Sequence, residues 1–89
     1  MANHKSALKR DRQSKVRRLR NRMNKSRMKS AVNRMEEAVA AGSEEQAREA
    51  LLQAISVIGK TAAKGSIHKK TASRKISRLT RKVNRMALA

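Results

Sequence analysis

The sequence predicts an all-α chain, a three-helix antiparallel bundle whose long N-terminal helix protrudes past the other two. Three observations carry this. The chain has no Pro and only three Gly, and the strong helix formers Ala, Arg, Lys, Leu, Met, Glu and Gln dominate it. No segment combines β-branched enrichment with strict apolar–polar alternation. Two Gly-Ser pairs, at Gly42 and Ser43 and at Gly65 and Ser66, read as a helix stop followed at once by a helix start.

Helix 1 is expected over about residues 6–41, a length of roughly 54 Å. Gly42 suits the position after its last residue, where a left-handed backbone is needed. Ser43 then reads as the N-cap of helix 2, and Gln46 three residues on completes a capping box. Glu44 and Glu45 fall in the first turn, where the helix dipole favours negative charge. Helix 2 is expected over about 44–64, roughly 31 Å long, continuing through Gly59 at a cost of roughly 1 kcal/mol relative to Ala. Gly65 stops it, Ser66 starts the next, and helix 3 is expected over about 67–86. Connections this short make neighbours antiparallel, so helix 1 overhangs the other two by several turns.

Spacing assigns the buried faces. Helix 2 has Ala47, Leu51, Ala54, Ile55, Ile58 and Ala62 on one side. Helix 3 has Ala72, Ile76, Leu79, Val83 and Met86 at alternating steps of four and three, an a/d seam. The second half of helix 1 has Met28, Ala31, Val32, Met35, Ala38 and Val39. These stripes can close one small core, with Met23, Met28, Met35 and Met86 as fillers. The first half of helix 1 offers only Leu8, Val16, Leu19 and Met23, on a face turned by more than a quarter circle from the later stripe.

Eighty-nine residues bound the chain to a single domain, residues 1–89, with an N-terminal arm of about residues 1–20. Twenty-four Lys and Arg against six Asp and Glu give a formal charge of +18, and there is no Phe, Tyr or Trp. Leu, Ile, Val and Met together number 20, fewer than the bases, so the core is small. The charge is segmented: residues 1–35 carry +12, residues 36–59 carry −4 and residues 60–89 carry +10. The chain has no Cys, hence no disulfide or thiolate chemistry. No apolar run approaches the ~20 residues needed to cross a bilayer, and the basic N-terminus has no apolar segment of a secretory signal behind it. The expected location is cytoplasmic.

Catalysis has no machinery in this pattern. Glu36, Glu37, Glu44, Glu45 and Glu49 cluster around the helix 1–2 turn, where capping and solubility account for them. His4 and His68 are far apart in the chain and have no nearby acid to orient them as metal ligands. His68 is placed to cap helix 3 or to touch a phosphate. No glycine-rich phosphate loop is present. No cofactor and no metal is expected.

The bases carry more information. On an ideal helix Lys5, Arg10, Arg12, Arg17, Arg18, Arg20, Arg22 and Lys25 cover most azimuths, and Lys9, Lys15 and Lys29 add to them. A helix that is basic all round has no core to lie on and suits insertion into something negative on several sides. On helix 3, Lys70, Arg74, Arg78, Arg81 and Arg85 follow at steps of four, four, three and four, opposite the apolar seam. An ordinary solvated face mixes signs, because like charges at this spacing cost a few tenths of a kcal/mol each. Five bases with no interleaved acid point to an anionic partner. Arg outnumbers Lys in the arm, and its planar fork grips a phosphate through two hydrogen bonds. Asn21, Asn24, Ser26 and Ser30 between these bases can donate to phosphates or ribose hydroxyls, which favours RNA. Without aromatic rings to stack on bases, recognition rests on phosphate position and shape.

The residues Met1-Ala2-Asn3-His4-Lys5-Ser6-Ala7, the run Arg17-Arg18-Leu19-Arg20-Asn21-Arg22 followed by Lys25-Ser26, and Gly65-Ser66-Ile67-His68-Lys69-Lys70 leading to Ser73-Arg74-Lys75-Ile76-Ser77-Arg78-Leu79 closely resemble the bacterial ribosomal protein S-twenty family. The resemblance covers essentially the whole chain. It implies a three-helix bundle with a long first helix, bound to small-subunit ribosomal RNA and without catalytic residues. Carried over by position, it implies RNA contacts at Lys5, Lys9, Arg17, Arg18, Arg20, Asn21, Lys25 and Ser26, and at His68, Lys69, Arg74, Lys75, Ser77 and Arg78. The charge pattern adds Arg10, Arg12, Lys15, Arg22, Lys29, Lys70 and Arg81.

The expected function is therefore that of a structural constituent of the small ribosomal subunit. It would neutralise phosphates where several RNA helices converge, as a monomer with few or no protein contacts and no membrane contact. A DNA-compacting protein is the first alternative. Helices of ~20 residues fit poorly with a helix-turn-helix. A cationic membrane helix is the second, and it lacks the Trp or Phe usual on such a face.

Overall fold

The computed structural model describes the backbone of residues 2–88 and the side chains of residues 6–86. The expectations for the side chains of His4 and Lys5 lie outside the described residues. Three helices account for the fold: α1 (Ala2–Ala40), α2 (Glu44–Ala63) and α3 (Lys69–Leu88). No strand occurs among the described residues. The first helix, about 58 Å long at 1.5 Å per residue, sets the long dimension of a molecule measuring 68 × 21 × 14 Å.

Both interhelical turns are built around a glycine with positive φ, Gly42 at 76° and Gly65 at 79°. At the first, Gly42 N donates to Val39 O at 3.0 Å and Ser43 N to Ala38 O at 3.3 Å. This crossed pair is a Schellman motif, which satisfies the last carbonyls of α1. At the second, Gly65 N donates to Ala62 O at 3.0 Å and Ser66 N to Thr61 O at 3.1 Å, the same motif one helix later.

The two starts differ. Ser43 caps α2 as expected, its hydroxyl accepting from Gln46 N at 3.4 Å. The reciprocal half of the expected capping box has no free donor to use, because the Schellman turn already holds Ser43 N. Ser66 does not cap α3, contrary to the sequence reading. Its N–H is held by Thr61, and the helix begins three residues later, at Lys69. His68 does the capping: its Nδ1 accepts from Lys70 N at 3.1 Å, and its carbonyl accepts from Ala72 N at 3.1 Å. Elsewhere the bounds shift slightly. α1 begins at Ala2 rather than near residue 6, with no Gly or Pro to stop it; α2 ends at Ala63, and α3 runs to Leu88 rather than 86.

The core sits between the second half of α1 and the other two helices. Met28 and Met35 from α1, Ala47, Leu51, Ala54 and Ile58 from α2, and Ala72, Leu79 and Val83 from α3 are buried together. Ala31, Val32, Ala38, Val39, Ile55, Ala62, Ile76 and Met86 pack half-buried around them, so every residue of the three expected stripes contributes. Met23 is the exception among the methionines expected to fill the core: it is 49% exposed. It lies on the turned face of the arm rather than on the Met28 stripe. α2 is the central helix, packing on both neighbours, while α1 and α3 touch at few points. One of these is an ion pair, Lys82 Nζ to Glu36 Oε1 at 2.8 Å. Burying Met35, Ile58 and Val83 almost completely contributes about 1.5–3 kcal/mol each.

Candidate nucleic-acid interface

Antiparallel helices of equal rise pair residues equidistant from the turn between them. Counting outward from Gly42 therefore sets Lys64 beside Arg20, and everything before Arg20 extends past the body. Residues 6–20 are all exposed. The last tertiary anchor of α1 before this overhang is a polar clip. Ser66 Oγ donates to Asn21 Oδ1 at 2.9 Å and accepts from Asn24 Nδ2 at 3.0 Å. Ser66 is buried, and both asparagines are half-buried.

The clip explains a progression along one face of α1. Positions 35, 28, 24, 21 and 17 follow each other at helical spacing and read Met, Met, Asn, Asn, Arg. The face passes from apolar core to hydrogen-bonded polar contact to free charge within three turns. At the transition Arg17, Arg20, Arg27 and Lys64 line an open cleft with Asn21, Asn24, Met23 and Gly65. Four cations and no acid line this one cleft, an arrangement whose chemistry suits an anionic group such as a phosphate.

The sequence-expected residues fall into three groups. Lys9, Arg10, Arg12, Lys15, Arg17, Arg18, Arg20, Arg22, Lys25, Ser26 and Lys29 are exposed along α1. His68, Lys69, Lys70, Arg74, Lys75, Ser77, Arg78 and Arg81 are exposed on or beside α3. Asn21 stands apart, because the structure already employs its side-chain oxygen in the clip. Lys15 is also partly committed, lying 3.3 Å from Asp11 one turn away. At the start of α3, His68, Lys69, Lys70, Ser73 and Arg74 line a second shallow groove. His68 uses Nδ1 for the cap, which leaves Nε2 as the ring nitrogen able to donate outward.

Sequence spacing does not single out Arg27 and Lys64, which the fold brings to the cleft. The signal that finds them is the turn-centred pairing, which sets Lys64 across from the Arg20–Arg27 stretch. Among the described residues the ion pairs are Lys15–Asp11, Arg48–Glu44 and Lys82–Glu36. The five bases of the α3 stripe have no internal partner there, so their charge is available to an external one. Every acid but Asp11 lies at the opposite end, around the α1–α2 turn, where Glu37 and Glu49 face a common depression with Arg34 and Gln46.

A flat helical body with a basic arm, an open cationic cleft and a free cationic stripe defines a small helical polyanion-binding protein. No group of His, Asp or Glu suited to a metal occurs among the described residues, and no described helix is long and apolar enough to cross a membrane. The chain belongs to the family described as Ribosomal protein S20, whose model matches residues 2–84. It is 60% identical over 89 residues to the small ribosomal subunit protein bS20 of Desulfotalea psychrophila, covering 100% of both chains. It is 58% identical over 84 residues to the bS20 of Syntrophobacter fumaroxidans, covering 94% of this chain and 98% of that one. The bS20 of Geobacter sulfurreducens is 54% identical over 84 residues, covering 94% and 97%. This is a family of ribosomal structural proteins and not of enzymes.

Proposed function

We propose that this chain is a structural constituent of the small ribosomal subunit, binding small-subunit ribosomal RNA directly and holding several RNA helices together. The observation that carries this is the division of the bases between two surfaces. The arm, exposed throughout residues 6–20, presents charge around its whole circumference, and the α3 stripe presents it on one side only. A helix charged all round suits a position enclosed by RNA, and a stripe opposite a packed seam suits one RNA surface. The elbow cleft lies between them. The protein contributes phosphate neutralisation and shape, with no base stacking, because it has no aromatic side chain. It acts as a monomer with few protein contacts, in the cytoplasm where bacterial ribosomes work.

Competition binding tests this. Labelled, folded small-subunit ribosomal RNA bound to the full chain should resist displacement by an equal charge of duplex DNA. Equal affinity for the two would favour general nucleic-acid compaction instead.

A further inference from the structure

The arm has one feature that charge does not explain. Leu8, Val16, Leu19 and Met23 are 55%, 47%, 58% and 49% exposed, left open by the described residues. At about 100° per residue their azimuths fall within an arc of about 80°, so they form a single row about 22 Å long. Arg12 lies inside the same arc. Lys15 and Arg22 border it on one side, Lys9 and Arg20 on the other. The row is thus a narrow apolar stripe with cations along both edges; the one acid near it, Asp11, lies just outside the Lys15–Arg22 edge and pairs with Lys15 at 3.3 Å.

We propose that this row seats the arm in the shallow minor groove of an RNA duplex, with the four apolar side chains against ribose and the two basic edges on the flanking phosphate strands. This rests on the ribosomal RNA reading above and specifies the rotational setting of the arm within it. The wide, shallow minor groove of A-form RNA displays sugars and 2′-hydroxyls between two lines of phosphate. A helix with its side chains is about 10–12 Å across and needs such a wide groove. The order apolar in the centre and cationic at both margins matches that groove from its floor to its rims. The minor groove of B-form DNA, about 6 Å wide, admits no helix. An apolar groove on a protein would have to supply acids along both of its edges to match. Arg12, in the middle of the row, is set to reach base edges or 2′-hydroxyls from within the groove.

The test is the full-length double variant Leu8→Gln with Leu19→Gln. Gln has nearly the helix propensity of Leu, so circular dichroism should be unchanged. Affinity for folded small-subunit ribosomal RNA should fall roughly tenfold, with the salt dependence unaltered because no cation is lost. Arg10→Gln, on the far side of the arm, should instead reduce the salt slope by about 0.7. Hydroxyl-radical footprinting should show ribose protection on both strands of one duplex by the native chain, weakened in the double variant. Unchanged affinity and footprint in the double variant would overturn the proposal while leaving RNA binding by the native chain intact. Failure of the native chain to bind the RNA at all would instead remove the underlying reading. Loss of binding to phosphatidylglycerol vesicles without loss of RNA binding would reassign the row to lipid and overturn the proposal.

Discussion

Ser66 donates its hydroxyl proton to Oδ1 of Asn21 across 2.9 Å, joining residues 45 positions apart in sequence. Ser66 Oγ in turn accepts from Asn24 Nδ2 at 3.0 Å, so one small side chain holds one turn of α1. This is the point where the bundle ends and the arm begins. It fixes the α2–α3 turn against α1 and thereby keeps Lys64 near Arg20 and Arg27 around one cleft. A polar clip suits the place. Apolar contacts here would extend the core under a cleft whose other walls are cations, at a desolvation cost to those charges.

Ser66→Ala should therefore destabilise the chain modestly. It removes two hydrogen bonds, but the asparagines it strands are only half-buried and border an open cleft. A loss of about 0.5–1.5 kcal/mol is expected. Thermal unfolding should show it, since a domain this small shifts by about 4–8 °C per kcal/mol. An unchanged melting temperature would mean that the clip contributes nothing to folding.

The core places a larger demand on the sequence. Met35 and Ile58 are completely buried, from α1 and α2 respectively. Truncating either to Ala should cost about 2–5 kcal/mol, enough to unfold a marginal domain of this size. Leu52, on the same helix as Ile58 but 68% exposed, is the control: Leu52→Ala should change stability by less than about 0.5 kcal/mol. Urea titration followed by circular dichroism separates the two outcomes.

Much of this fold is legible in the chain because its punctuation is local. At Gly42 and Gly65 each helix ends through hydrogen bonds from the glycine N–H to the residue three back and from the next serine N–H to the residue five back, so sequence alone locates them. The periodic stripes likewise identify the core. What sequence spacing does not reveal is a side chain recruited across the fold. Ser66 looks like a helix start because a Ser after a Gly often is one, yet its partners lie 42 and 45 residues away. Met23 looks like core because Met usually is, and only the turn of the arm's apolar row away from the Met28 stripe separates it. Of the site, the bases are visible from composition and their free surfaces from periodicity. The cleft is visible only after α1 and α2 are paired about Gly42.

The one ion pair between α1 and α3 among the described residues should matter little. Lys82 and Glu36 are about half exposed, and such pairs contribute about 0.2–1 kcal/mol. A double-mutant cycle with Lys82→Gln and Glu36→Gln should give a coupling in that range at low salt. The coupling should vanish at 1 M salt, where the Debye length falls to about 3 Å. A coupling that persisted would mark the pair as more desolvated than its exposure indicates.

The arm should open far more readily than the body when RNA is absent. Helical hydrogen bonds in residues 6–20 have no tertiary contact to protect them, and repulsion among the arm's bases opposes the helix further. Hydrogen exchange should find these amides fast and those of residues 28–40 slow. Adding ribosomal RNA should slow the arm. Strong protection in the free chain would mean that the arm's intrinsic helix propensity outweighs its charge.

Salt dependence can rank the bases one by one. Each phosphate neutralised contributes a slope of about 0.7 in the logarithm of affinity against the logarithm of salt, using the single-strand value as a guide for folded RNA. Roughly six to ten contacts would then give a total slope of about 4–7. Arg17→Gln, Arg20→Gln and Arg78→Gln should each remove about one unit's share of it. Lys15→Gln should remove less, because Lys15 already lies 3.3 Å from Asp11 and brings a partly neutralised charge to the interface. Arg27→Gln and Lys64→Gln should match the arm arginines if the elbow cleft holds a phosphate, and should leave the slope untouched if it holds none. A total slope near one would sink the multi-phosphate interface altogether. With it would go the reason for a chain of 89 residues to carry 24 bases.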